Sequence, residues 1–289
     1  MITGLDHVVI GVRDLDAAVH TYERLLGRAV SWRAEADGAA TASFGLANLA
    51  VELIAPAGEG PTSARLRAVL DAQGEGLASL AFAVGDADRA HRRLARLALD
   101  PEPVSAGEST DRASGARRRW RRTRAATAAT HGVRLFMIEP GEGHAAAFSA
   151  PEAAAVAGLD HVVVRTPDPE RAAALYGARL GLDMRLDRSN QAWGARLMFF
   201  RCGDLIVEVA HDLAGGVSPG NDRLWGLSWR VPDAELTWAR LRAAGVDVTE
   251  LRPGRKPGTR VFTVRDRTCG VPTLVLEPSP ARAGEREGA

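Results

Sequence analysis

The chain has 289 residues, 46% of them apolar and 25% charged, and a net charge of +1 at neutral pH. That balance excludes bulk electrostatic attraction to nucleic acid or to a membrane surface, and no apolar run approaches the roughly 20 residues that cross a bilayer. Cys202 and Cys269 lack CxxC or metal-type spacing, and Asp6 and His7 interrupt any leader-like apolar start, so a reduced, cytoplasmic protein is expected.

In chain order, Leu5–Val12 reads as a short β-branched strand. Asp14 or Asp16 can cap a helix in which Leu15, Ala18, Tyr22 and Leu25 recur at helical spacing until Gly27. Ala42–Gly45 and Asn48–Ala55 read as a hairpin, closed by the Pro/Gly-rich stretch Pro56–Pro61. Leu77–Val84 restarts the order as a strand, followed by a helix over Asp86–Leu97 and a last strand over Gly132–Glu139. The second half gives strand Asp160–Arg165, helix Pro169–Leu180, and hairpin strands near 196–200 and 205–210. Strand Gly226–Val231, helix Ala234–Ala244, and strands Arg260–Val264 and Thr273–Glu277 complete it. Nearly all basic residues are Arg, Lys256 being the one lysine, which with the abundant Ala is expected of GC-rich bacterial coding.

The halves are copies. Gly-Leu-Asp-His-Val-Val occurs at Gly4 and again at Gly158, 154 positions on, and Asp14, Tyr22 and Leu26-Gly27 match Asp168, Tyr176 and Leu180-Gly181 at that same offset. The expected organisation is domain 1 over 1–140, a linker over 141–157 that holds His144, domain 2 over 158–278, and a polar, disordered tail over 279–289. Four βαβββ-type modules in tandem account for the element order.

Leu-Asp-His-Val-Val-Ile-x-Val-x-Asp-Leu-Asp-Ala-Ala, a Leu-Gly helix end and a later Val-Glu-Leu resemble the vicinal oxygen chelate superfamily, which includes glyoxalase I, extradiol dioxygenases and the bleomycin-resistance proteins. The resemblance covers about 3–140 and 157–278. It implies an α+β fold in which paired βαβββ modules form two cupped-sheet domains, with helices on the convex side and the site in the hollow.

Strand alternation then sorts the candidates. His7 faces the hollow, because Val8, Ile10 and Val12 share the bulky face, and Glu52 points with it; His161 and Glu208 repeat the pair. These four are the expected ligands of a divalent Fe, Mn, Ni or Zn ion, with Glu52 and Glu208 doubling as catalytic bases. Aligned as the family implies, the second module places Ser79 and Phe136 where its remaining ligands stand, and the other copy places Gly226 and Leu274 there, with Glu139 and Glu277 on the opposite face. Each domain thus offers two ligands of four. Modules exchanged between copies would gather His7, Glu52, His161 and Glu208 around one ion; alternatively His131, His211 or Ser79 completes a looser site, or each His and Glu simply hydrogen-bond each other. His20 and His91 belong to solvent-facing helix surfaces.

The run Arg117–Arg124 contains Trp120; Arg119 and Arg121 share a face opposite Trp120 and Arg122. Arg119, Trp120 and Arg121 are candidate contacts to a carboxylate or phosphate and a stacked ring, or else a solvated, salt-bridged strand. Trp193, Trp225 and Trp229, with Ser79 and Phe136, are candidate lining for an apolar pocket, Gly226 leaving room beside them. The leading expectation is a glyoxalase- or dioxygenase-like enzyme on a small organic substrate, in which the ion polarises vicinal oxygens. The alternatives are a metal-free protein that sequesters a small molecule or antibiotic, and a metal-free isomerase or lyase. A small-molecule partner and a possible homodimer are expected, and neither nucleic acid nor membrane.

Overall fold

The computed structural model describes residues 1–143 and 152–279. His144, the middle of the expected linker, and nearly all of the expected tail lie outside the described residues.

Each half starts from a strand and a capped helix. β1 (Ile2–Gly11) turns Val8 and Ile10, both fully buried, to one side. Asp14 caps α1 (Leu15–Leu26), accepting the Ala17 N–H at 3.0 Å, and Gly27 ends it in the left-handed region at φ 67°. Then come β2 (Trp32–Ala36), β3 (Ala39–Gly45) and β4 (Ala50–Pro56). α2 (Pro61–Gln73) follows, a helix that its flanking Gly and Pro disguise in the sequence. The second module is β5 (Gly76–Val84), α3 (Ala87–Arg96), β6 (Ser105–Thr110), β7 (Arg117–Arg124) and β8 (Leu135–Pro140).

The other half has β9 (Gly158–Arg165) and α4 (Pro169–Ala173), which continues as a π-helical stretch over Ala174–Arg179. β10 (Asp183–Asn190), β11 (Ala195–Cys202) and β12 (Leu205–Asp212) complete its first module. β13 (Arg223–Arg230), α5 (Ala234–Ala243), β14 (Arg252–Pro253), β15 (Arg260–Val264) and β16 (Thr273–Glu277) make the last.

One sheet runs β2-β3-β4-β1-β5-β8-β7-β6 and the other β10-β11-β12-β9-β13-β16-β15-β14. The fold is α+β, two cupped eight-stranded sheets. Modules join within each copy, through antiparallel β1–β5 and β9–β13. The exchanged pairing is therefore ruled out: His7 and Glu52 belong to one sheet, His161 and Glu208 to the other.

The two sheets differ at their edges. In the first, β2 meets β6, with Trp32 Nε1–H donating to Ser109 Oγ at 2.9 Å. Just past β6, the Asp111 carboxylate accepts the Arg33 N–H at 2.9 Å and the Ser114 hydroxyl at 2.7 Å. These bonds, Ser114 foremost, hold the Asp111 carboxyl down at about 2. In the second sheet β14 has only two residues, and β10 is exposed along nearly all its length. There Trp193 spans the opening, between the guanidinium groups of Arg188 at 5.1 Å and Arg255 at 4.1 Å.

The copies are bound by reciprocal contacts. Arg240 of α5 donates to the carbonyls of Arg24 and Leu25 at the end of α1. Arg179 donates to Leu97 and Ala98 carbonyls just past α3, both at 2.7 Å. The stretch read as the end of a linker is packed: Val156 is fully buried, and its N–H donates to the Leu26 carbonyl at 2.9 Å.

Candidate functional site in two unequal hollows

A strand irregularity shapes each site. The β1–β5 register slips between Leu5 and His7, and the β9–β13 register slips between Ser228 and Trp229, opposite Leu159–His161. Such bulges re-aim side chains. The Asp6 carboxylate thus reaches His7 Nδ1 at 2.5 Å, and Asp160 reaches His161 Nδ1 at 2.9 Å. A carboxylate at Nδ1 holds the ring proton there and aims Nε2 away. Strict alternation would have sent each Asp to the opposite face, which is why the sequence hid this pairing.

Strand register then builds transverse rows. In the first sheet His7 lies beside Ala81, Ala81 beside Phe136, and Phe136 beside Arg124. The equivalent row of the second is His161, Ser228, Leu274 and Thr263. The next row places Glu52 beside Val9 and Val9 beside Ser79; its counterpart runs Glu208, Val163, Gly226.

In the second hollow His161 Nε2 stands 3.6 Å from Glu208 Oε2 and 2.7 Å from Ser228 Oγ. The His161 and Glu208 side chains are 18% and 15% exposed, so ligand can reach them while most water is excluded. Burial pushes the Glu208 carboxyl above its ordinary 4.5, with His161 and Arg255 resisting. Burial opposes the charge on Asp160 too, but the His161 hydrogen bond and charge, with Arg230 and Lys256, hold its carboxyl below the usual range.

In the first hollow a cation has entered. Arg118 on β7 donates to Glu52 Oε2 at 3.1 Å, with its guanidinium 4.8 Å from the Trp32 ring and 5.6 Å from Trp120. Its Nε is buried without a hydrogen-bond partner. For His7, burial lowers the imidazole pKa, but the Asp6 hydrogen bond and the Glu52 charge outweigh it and raise the group above 6.5.

The other candidates fall as follows. Trp120 shares the hollow's face with Arg118 by parity, but Arg119 and Arg121 lie on the opposite face, paired with Glu108 and with Asp88, each at 2.8 Å. Arg119, Trp120 and Arg121 also line a surface depression of about 380 Å³ with Glu108 and Glu139. Ser79 is buried one row from His7. Phe136 is ringed by the guanidinium groups of Arg122, Arg124 and Arg134 at 5.6, 6.0 and 5.9 Å. Trp193 is at the second hollow's mouth, and Trp225 is 38% exposed under Arg165 at 4.4 Å.

Trp229 is fully buried in the hydrophobic core and lines no pocket. The room expected at Gly226 is filled, since a Cβ there would meet the Pro272 carbonyl oxygen at 2.7 Å. His211 turns away and contacts the Thr166 carbonyl at 3.1 Å, while His131 sits in a turn whose carbonyl accepts the Asp222 N–H, so neither joins a His–Glu pair. Glu139 and Glu277 accept the first helical N–H of α3 and α5, from Ala87 and Ala234, both at 2.8 Å.

A divalent ion does not fit these residues. Among the described residues no three His, Cys, Asp or Glu side chains converge as a metal cage, whereas a catalytic metal ordinarily takes three protein ligands. Ser228 occupies the Nε2 of His161, and Arg118 already neutralises Glu52. Sequence reading missed Arg118, Asp6, Asp160 and Ser228. Arg118 had a legible signal, since it alternates with Trp120 and Arg122 along one face.

A family model for the glyoxalase-like domain matches residues 5–181, and one for the glyoxalase/bleomycin resistance protein/dioxygenase superfamily matches 160–263. No curated protein matches the chain. Among solved structures, a mutant of 4-hydroxymandelate synthase from Streptomyces coelicolor is similar over 98% of this chain and 94% of that one, at 13% identity and a TM-score of 0.72. A hypothetical protein from Staphylococcus aureus covers 95% of this chain and 99% of its own at 9% identity, TM-score 0.65. The Mn(II)-bound glyoxalase from Novosphingobium aromaticivorans covers 96% and 82% at 15% identity, TM-score 0.62. At such identities these likenesses are of fold alone. With a duplicated Asp-His strand start, two cupped sheets and a family match over more than half its length, the chain belongs to the glyoxalase-like family of the vicinal oxygen chelate superfamily.

Proposed function

We propose that this chain is a glyoxalase-like enzyme that moves a proton on a small carbonyl-containing substrate in the second hollow. The observation that carries the reading is His161 and Glu208 facing each other at 3.6 Å in a site mostly shielded from water. Glu208, its carboxyl pushed up by burial, is the base that takes a proton from carbon beside a carbonyl. His161, held by Asp160 at Nδ1, takes that proton from the Glu208 carboxyl at its Nε2, with Ser228 giving way, and returns it to the neighbouring oxygen or carbon, which leaves both residues as they began. The net change is an isomerisation; no oxidant or reductant is consumed. Arg255, close enough to act on Glu208, supplies positive charge where the enolate oxygen develops. The Mn(II)-bound glyoxalase carries metal on a similar fold, but the two-residue donor set here favours a metal-independent reaction.

The test is deuterium exchange from D2O into a panel of 2-oxo and 2-hydroxy acids and aldehydes, followed by proton NMR. Exchange that survives EDTA and disappears in Glu208→Gln and His161→Ala supports the reading. Exchange that needs added Mn(II) or Fe(II) overturns its metal-independent form, and saturable binding without exchange points instead to sequestration.

A further inference from the structure

We propose that the first hollow is a separate binding site for a small anion, a phosphate or carboxylate group held by Arg122, Arg124 and Arg134 around the ring of Phe136. The inference stands apart from the proton-transfer reading, which concerns the other sheet.

Three guanidinium groups lie within 6.0 Å of one phenyl ring. Arg124 is paired with Glu102. Arg122 and Arg134 make no ion pair among the described residues, although Arg134 is half-buried, and the charge of the one nearby carboxylate, Glu102, is shared among all three. Cations that outnumber their acid do not gather without cost: burial, with the charges of Arg124, Arg65 and Arg122, outweighs Glu102 and weakens the hold of Arg134 on its own proton. The second copy is an internal control. By strand register its Val261, Thr263 and Pro272 stand where Arg122, Arg124 and Arg134 stand here, so the scaffold itself needs no charge at these positions. Arginine's planar fork suits phosphate and carboxylate oxygens, and a bound anion relieves the mutual repulsion. Arg118 and the Trp32 and Trp120 rings lie on the same face and would receive the uncharged part of such a ligand.

The test titrates inorganic phosphate, pyrophosphate and citrate into the full chain by calorimetry, at ionic strength matched with NaCl. Saturable binding is expected, weakened about tenfold or more by Arg134→Gln and by Arg122→Gln, and unchanged by Arg185→Gln on exposed β10. Tighter binding of the phosphates than of citrate assigns a phosphoryl ligand; the reverse assigns a carboxylate. In low salt without anion, Arg134→Gln is expected to melt at or above the wild-type temperature, which separates lost binding from lost folding. Equal binding by Arg134→Gln and wild type, a response reproduced by NaCl alone, or no saturable binding of any of the three anions overturns the proposal.

Discussion

At the scale of single residues, the two His–Glu pairs have diverged in what surrounds them, and the divergence is titratable. The folded state raises the His7 pKa, so His7 contributes stability that is fully present below its ordinary 6.5 and is lost as pH rises through the higher folded value. Thermal melting of His7→Gln should therefore differ most from wild type near pH 6 and converge with it at alkaline pH; a constant offset across that range would contradict the assignment. Glu208 carries the opposite lesson. Its carboxyl is raised by burial, so its ionised form burdens the fold once pH exceeds the folded value, and that burden vanishes below the ordinary 4.5. Glu208→Gln should melt higher than wild type at pH 8 while losing exchange activity, and the gain should disappear in acid. A lower melt at pH 8 would place the stabilising contacts of Glu208 above its desolvation. His7, Glu52, His161 and Glu208 were legible from alternation alone. The flanking Asp6 and Asp160 were not, because a bulge breaks the alternation on which that reading depends.

At the scale of elements, the last strand of each sheet serves a helix where metal-dependent relatives would be expected to place a ligand. Glu139 on β8 and Glu277 on β16 each accept the first helical N–H of the helix behind the sheet, completing an N-terminus that Asp86 or Asp233 has already capped. Glu139→Ala and Glu277→Ala are each expected to cost about 1 kcal/mol of stability, read from urea midpoints, with exchange activity unchanged. Loss of activity without loss of stability would instead bring these glutamates into the site. The parity of these strands in the sequence had already turned both carboxylates away from the hollow. β2, β6 and β10 were illegible for a different reason: they are short or solvent-facing edge strands of mixed polarity, so they lack the apolar alternation that marks a buried strand.

At the scale of the whole molecule, duplication explains why two sheets of one ancestry can hold different sites while sharing one buried core. Arg240 from the second copy engages the carbonyl end of α1, and Arg179 engages the carbonyls that follow α3 in the first. Helix C-termini leave carbonyls without partners and carry partial negative charge, so each guanidinium meets both needs at once. Between them lies one continuous cluster of buried side chains drawn from both halves, with Tyr22 Oη donating across it to the Thr268 carbonyl at 3.2 Å. None of this was readable from a single sequence, because the repeat identifies the copies but not the surfaces they share. Removing one guanidinium takes charge-assisted hydrogen bonds from part-buried and exposed carbonyls, at a cost of about 1 kcal/mol. Arg179→Met and Arg240→Met should each lower the melting temperature, and together they should split a single calorimetric transition into two, one for each sheet. If the double variant still melts in one transition, the shared apolar cluster alone couples the copies, and the two arginines only finish helix ends.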